Sequence, residues 1–95
     1  MLFIVMQKSI YTNDYQKFLQ LLREARLTAG LSQEEVAKRL RQTQSFISKY
    51  ERGERRLDIV ETSAICAAIG VSFPEFVADF MEAINIKLKR NLKGT

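Results

Sequence analysis

Residues 32–53, SQEEVAKRLRQTQSFISKYERG, hold two short helical patterns with almost nothing between them, and no other stretch limits the fold so tightly. Ser32 is a natural N-cap, and Glu35 stands three residues on. At that spacing the hydroxyl and the carboxylate each satisfy an orphan backbone N–H at a helix start. Val36, Ala37 and Leu40 then recur at helical spacing, so one face is apolar. The pattern breaks at Arg41-Gln42. Thr43 is the next cap, Ile47 and Tyr50 carry the second apolar stripe, and Gly53 ends it, as glycine does past a helix C-terminus. Two amphipathic helices joined by about three residues must turn sharply and bury their stripes in one shared core.

The flanking chain reads as further helices. Asp14 is a cap for a first helix whose Tyr15, Phe18, Leu19, Leu22, Ala25 and Arg26 share one face, with Thr28-Ala29-Gly30 as its stop. An arginine on an inward face needs a partner. Beyond the central pair, Asp58 and Glu61 repeat the capping pattern. Val60, Ala64, Ile65, Ala68 and Ile69 then form the expected inner face, ended by Gly70, with Val71 dropping into the core. Ser72-Phe73-Pro74-Glu75 opens a last helix, with proline in the first turn where its missing N–H costs little. Phe73, Phe76, Val77, Phe80, Met81, Ile84 and Leu88 run along it. This helix is longer than a small core needs, so Phe80, Met81, Ile84 and Leu88 are read as a dimer interface, the alternative being a helix that folds back over its own domain.

Residues 1–13 lack a helical period and form an N-terminal arm, either disordered or holding a short strand at Phe3-Ile4-Val5. The expected domain is 14–83, and 84–95 completes the last helix and a basic tail. Four glycines and one proline in 95 residues favour an all-α chain with short connections over a turn-rich β fold, and a 46% hydrophobic share supports a core. The lone Cys66 excludes an internal disulfide and reads as a small core residue; with no histidine, no metal cluster or cofactor is expected. The apolar start, Met1 to Met6, is too short to span a bilayer, which takes about 20 residues, and lacks the marks of a signal peptide. A cytoplasmic location, no membrane contact and no enzymatic activity are the expectations.

Charge is sorted along the chain. Residues 38–56 carry seven cations and two acids; residues 57–86 carry five acids and no cation; residues 87–95 carry four cations. A polyanion would meet the central pair and be repelled beyond it. On that pair, Gln44, Ser45, Ser48, Lys49 and Arg52 lie off the apolar stripe. Amide and cationic side chains near a helix N-terminus suit base edges in a major groove. Gln44 can donate to and accept from adenine at once and is the first candidate base reader; Ser45 and Lys49 share its face, and Ser48 and Arg52 suit bases or phosphate. Phe46 suits packing or contact with a thymine methyl.

These residues resemble the Cro/C1-type, or XRE-like, helix-turn-helix family: Arg26-x-x-x-Gly30-Leu31-Ser32-Gln33 leading in, Ala37 and Leu40, then Thr43-Gln44-Ser45, and Ile47, Tyr50, Glu51 and Gly53 closing. The likeness continues into Leu57–Phe80. It implies a compact five-helix, lambda-repressor-like domain with an extended C-terminal helix. It further implies a structural ion pair between Arg26 and Glu51, and phosphate contacts from Gln33, Thr43, Arg52, Arg55 and Arg56. Glycine usually stands in the family's turn where this chain has Arg41; a side chain in that left-handed position costs about 1 kcal/mol, so a reshaped turn is expected. The implied activity is that of a sequence-specific regulator of transcription, a repressor binding double-stranded DNA as a homodimer on a palindromic operator. Phage repressors, restriction–modification controllers and antitoxins all fit, and an antitoxin would offer its last helix to a protein partner instead.

Overall fold

The computed structural model describes residues 13–93, with side chains through Ile84. The expected strand at Phe3-Ile4-Val5 and the side chain of Leu88 lie outside the described residues. Five helices follow in order: α1 (Asn13–Thr28), α2 (Gln33–Leu40), α3 (Gln44–Glu51), α4 (Ile59–Ile69) and α5 (Phe73–Lys93). No strand occurs among the described residues. Asn13 already belongs to α1, so Asp14 sits in its first turn, where a carboxylate still favours the positive end of the helix. α5 runs unbroken past residue 84 to Lys93.

The helix starts are built as their side chains dictate. Ser32 Oγ accepts from the Glu35 N–H at 3.0 Å while Glu35 accepts from the Ser32 N–H at 3.1 Å. Hydrogen bonding from the Ser32 backbone N–H, and next from the Ser32 side chain, holds the Glu35 carboxyl below the usual carboxylate range. Asp58 and Glu61 form the same reciprocal cap on α4. Arg41 carries the left-handed conformation itself, with φ 55° and ψ 43°. The Arg41 and Gln42 N–H groups donate to Lys38 and Ala37 carbonyls at 3.1 and 2.9 Å. The turn therefore keeps a regular helix-ending bond pattern, and the reshaping expected of a non-glycine residue is absent.

α2 packs on α3 and α4, and α1 lies across α3, α4 and α5. Leu19 and Leu22 from α1, Val36 and Ala37 from α2, Ile47 and Tyr50 from α3, and Ile65, Cys66 and Ile69 from α4 form the core, closed by Leu57 and Phe76. The expected inner face of α4 needs correction. Val60 is 74% exposed, Ala64 is exposed, and Thr62 and Cys66 point inward with Ile65 and Ile69. α4 is apolar nearly all round, so its pattern does not fix which side turns in. The Thr62 hydroxyl is reconciled with burial by donating to the Asp58 carbonyl at 2.7 Å. Burial pushes the Cys66 thiol up to about 11. No single helix among the described residues is long and apolar enough to cross a membrane.

Candidate nucleic-acid interface

The position of α3 follows from its two ends and its buried side. Thr43 Oγ1 accepts from the Phe46 N–H at 3.1 Å, which leaves the hydroxyl proton to donate outward. Ile47 and Tyr50 are fully buried and fasten the helix to the core. At its C-terminus, Glu51 takes a two-toothed ion pair from Arg26, with Nε–Oε2 2.7 Å and Nη2–Oε1 3.0 Å. Both side chains are nearly inaccessible, 7% and 5% exposed. Arg26 also donates from Nη1 to the Leu31 carbonyl at 2.9 Å. One guanidinium thus ties α1, the loop before α2 and the end of α3. Breaking such a pair from one side typically costs about 3–5 kcal/mol.

On the opposite side of α3, Gln44, Ser45 and Lys49 are exposed and Ser48 is half-buried. Gln33, the first residue of α2, is half-buried and donates from Nε2 to Glu51 Oε1 at 2.9 Å. Its own amide oxygen faces Gln44 Nε2 at 3.5 Å, too long a contact to hold Gln44 firmly. The two amides therefore stand side by side at the helix N-termini, with the outer one free to turn toward a base edge.

The three arginines after α3 are placed differently from one another. Arg52 donates to Ser48 Oγ one turn back and to Glu54 Oε2 at 2.5 Å. That contact holds the Glu54 carboxyl below its usual range. Arg55 pairs with Glu61 Oε2 at 2.7 Å and lies over the Phe46 ring, 4.8 Å from its centre. Arg56 does not join them: its guanidinium lies over the Tyr15 ring at 5.3 Å and lines a groove between α1, α4 and α5. Phe46 packs edge-on against Tyr50, with centroids 5.6 Å apart. The carboxylate partners of Arg52 and Arg55 were not foreseen from sequence, although Glu54 and Glu61 stand two and six residues from them in the chain.

A second surface forms around that groove of about 390 Å³. Ile59 is 72% exposed and lies beside it, with Val77 on α5. Val60 and Met81 add exposed apolar area. Phe80, expected on a dimer interface, is half-buried and packs edge-on against Phe18 of its own chain at 5.9 Å. Met81 is exposed and Ile84 half-buried.

The family described as Helix-turn-helix matches residues 22–76. Among solved structures, an XRE-family like protein from Pseudomonas syringae pv. tomato str. DC3000 is 41% identical, with a TM-score of 0.74 over 79% of this chain and 92% of that one. The wild-type restriction-modification controller protein C.Esp1396I is 26% identical, with a TM-score of 0.70 over 77% of this chain and 96% of its own. The same controller, as a tetramer in complex with its natural 35 base-pair operator, is 25% identical with a TM-score of 0.69, over 75% and 93% of the two chains. Comparison with curated proteins gives no match. The chain belongs to the Cro/C1-type, XRE-like helix-turn-helix family of DNA-binding transcription regulators.

Proposed function

We propose that this protein represses transcription as a homodimer, with α3 of each protomer in the major groove of a palindromic operator. The observation that carries the reading is the exposed row of Gln44, Ser45 and Lys49 on a helix whose other side, Ile47 and Tyr50, is fully buried. A helix anchored in this way presents its amide, hydroxyl and ammonium groups at a fixed pitch. Gln44 reads adenine, and Ser45, Ser48 and Lys49 read neighbouring base edges. Gln33, Thr43, Arg52 and Arg55 contact phosphate and set the register, with Arg56 reaching the backbone only after leaving Tyr15. One such helix reads a few base pairs. A two-fold dimer doubles the reading and implies half-sites about 10–10.5 bp apart. The dimer uses Phe80, Met81, Ile84 and Leu88, and extends over Ile59, Val60 and Val77. The solved controller tetramer on its operator supports this assembly by likeness. Occupying an operator and excluding polymerase needs no further chemistry from the chain.

Gln44→Ala tests the assignment in a binding titration on the preferred site and on single-base variants of it. The expected loss is about 1–3 kcal/mol on the preferred site, with relaxed discrimination at one position. Unchanged binding to the preferred site removes Gln44 from the base-reading set.

A further inference from the structure

Arg55 is held on three sides before any DNA arrives. Its Nη2 donates to Glu61 Oε2 at 2.7 Å, its Nη1 donates to the Arg56 carbonyl at 2.9 Å, and its guanidinium lies over the Phe46 ring at 4.8 Å. The two side-chain supports are themselves fixed. Glu61 Oε1 accepts from the Asp58 N–H at 3.0 Å while the Glu61 N–H donates to Asp58 Oδ1 at 2.7 Å, so the carboxylate belongs to the capped start of α4. Phe46 is the third residue of α3, half-buried and packed against Tyr50, which is fully buried. The guanidinium therefore sits against Phe46, in the first turn of α3. It is positioned and not consumed. Two of its five N–H donors are engaged, and the side chain remains 43% exposed.

We infer that Glu61 and Phe46 are positioning residues for DNA binding: they hold Arg55 as a ready-made phosphate clamp at the N-terminal end of the recognition helix. The inference rests on the regulator reading above and adds two residues to it that touch no DNA. The physical advantage is entropic. A free arginine loses its rotamer freedom when it grips a phosphate, whereas this one has lost it already on folding. A phosphate gripped by Arg55 comes close to Glu61, 2.7 Å from that guanidinium, so simple charge repulsion or competition for Arg55 would make Glu61 weaken DNA binding. Positioning gives the opposite sign.

That sign decides the test. Glu61→Gln keeps the cap, since glutamine serves in a capping box, but loses the ion pair. Binding of the full chain to an operator duplex recovered by selection, and to a scrambled duplex, is measured by fluorescence anisotropy over a salt series. The variants are Glu61→Gln, Phe46→Leu and Arg55→Gln, and each of the first two is also combined with the third. Arg55→Gln is expected to weaken binding and reduce the salt slope by about one. Glu61→Gln is expected to weaken operator binding about two- to tenfold with an unchanged slope, although it removes a negative charge. In the Arg55→Gln background neither Glu61→Gln nor Phe46→Leu is expected to weaken binding further. Tighter binding by Glu61→Gln in the protein that retains Arg55 overturns the proposal, as does an equal loss in both backgrounds. A wild-type protein that does not distinguish the two duplexes overturns the regulator reading itself, and the clamp with it.

Discussion

Arg41 takes a conformation that glycine takes at three other helix ends of this chain. Gly30, Gly53 and Gly70 all have positive φ, and Arg41 is the only described non-glycine residue that does, at 55°. The bonds that close the turn form regardless, so the arginine bears the cost of its Cβ without reshaping the motif. Arg41→Gly is therefore expected to stabilise the fold by about 1 kcal/mol, read as a melting temperature raised by about 4–8 °C. A second prediction concerns buried acids. The Cys66 thiol is pushed up to about 11 by burial, and burial raises the Tyr50 phenol as well. On unfolding both return to ordinary values and release protons more readily. Stability is then complete below pH 9, the ordinary value for the thiol, and falls as pH climbs toward 11. Urea midpoints measured against pH check this, and Cys66→Ala should flatten the decline; equal slopes in both proteins would count against it. At this scale the caps and stops were legible because they depend on neighbours three to five residues away. Ser32 with Glu35 and Asp58 with Glu61 stand as their spacing requires. The partners of Arg52 and Arg55 were less visible: each arginine has acids within reach in the chain, and only the loop between α3 and α4 decides which are met.

At the scale of helices, amphipathicity governs what can be read. α3 alternates sharply between buried Ile47 and Tyr50 and polar neighbours, so its inward side follows from sequence. α4 offers Ile59, Val60, Ala64, Ile65, Cys66, Ala67, Ala68 and Ile69 on almost every side. Its rotation is set by packing against α2 and α5, which sequence does not encode locally. The outcome exposes Ile59 and Val60, and Ile59 shares the groove with Val77 of α5, an apolar area that a reading of α5 alone does not supply. Because Val60 is 74% exposed, Val60→Lys should leave the monomer folded and disrupt a dimer that uses this face. Sedimentation at micromolar concentration is expected to report a dimer for the wild type and a monomer for the variant. A variant that sediments like the wild type would place the interface elsewhere.

For the whole molecule, the basic stretch and the apolar groove meet at Arg56, which lines that groove, while the other cations of the stretch are absent from its lining. The cations of residues 38–56 cluster on the α2–α3 pair and the loop after it, while the acids of residues 57–86 fall on α4 and α5. On the proposed reading, DNA meets the α2–α3 pair and a second protomer meets α5, so both contacts can exist together. Selection of bound sequences from a pool of random duplexes reports sequence reading and two-fold symmetry at once. Enrichment of a palindrome whose half-sites lie about 10–10.5 bp apart is expected. Recovery of a pool no different in sequence from the input would contradict it.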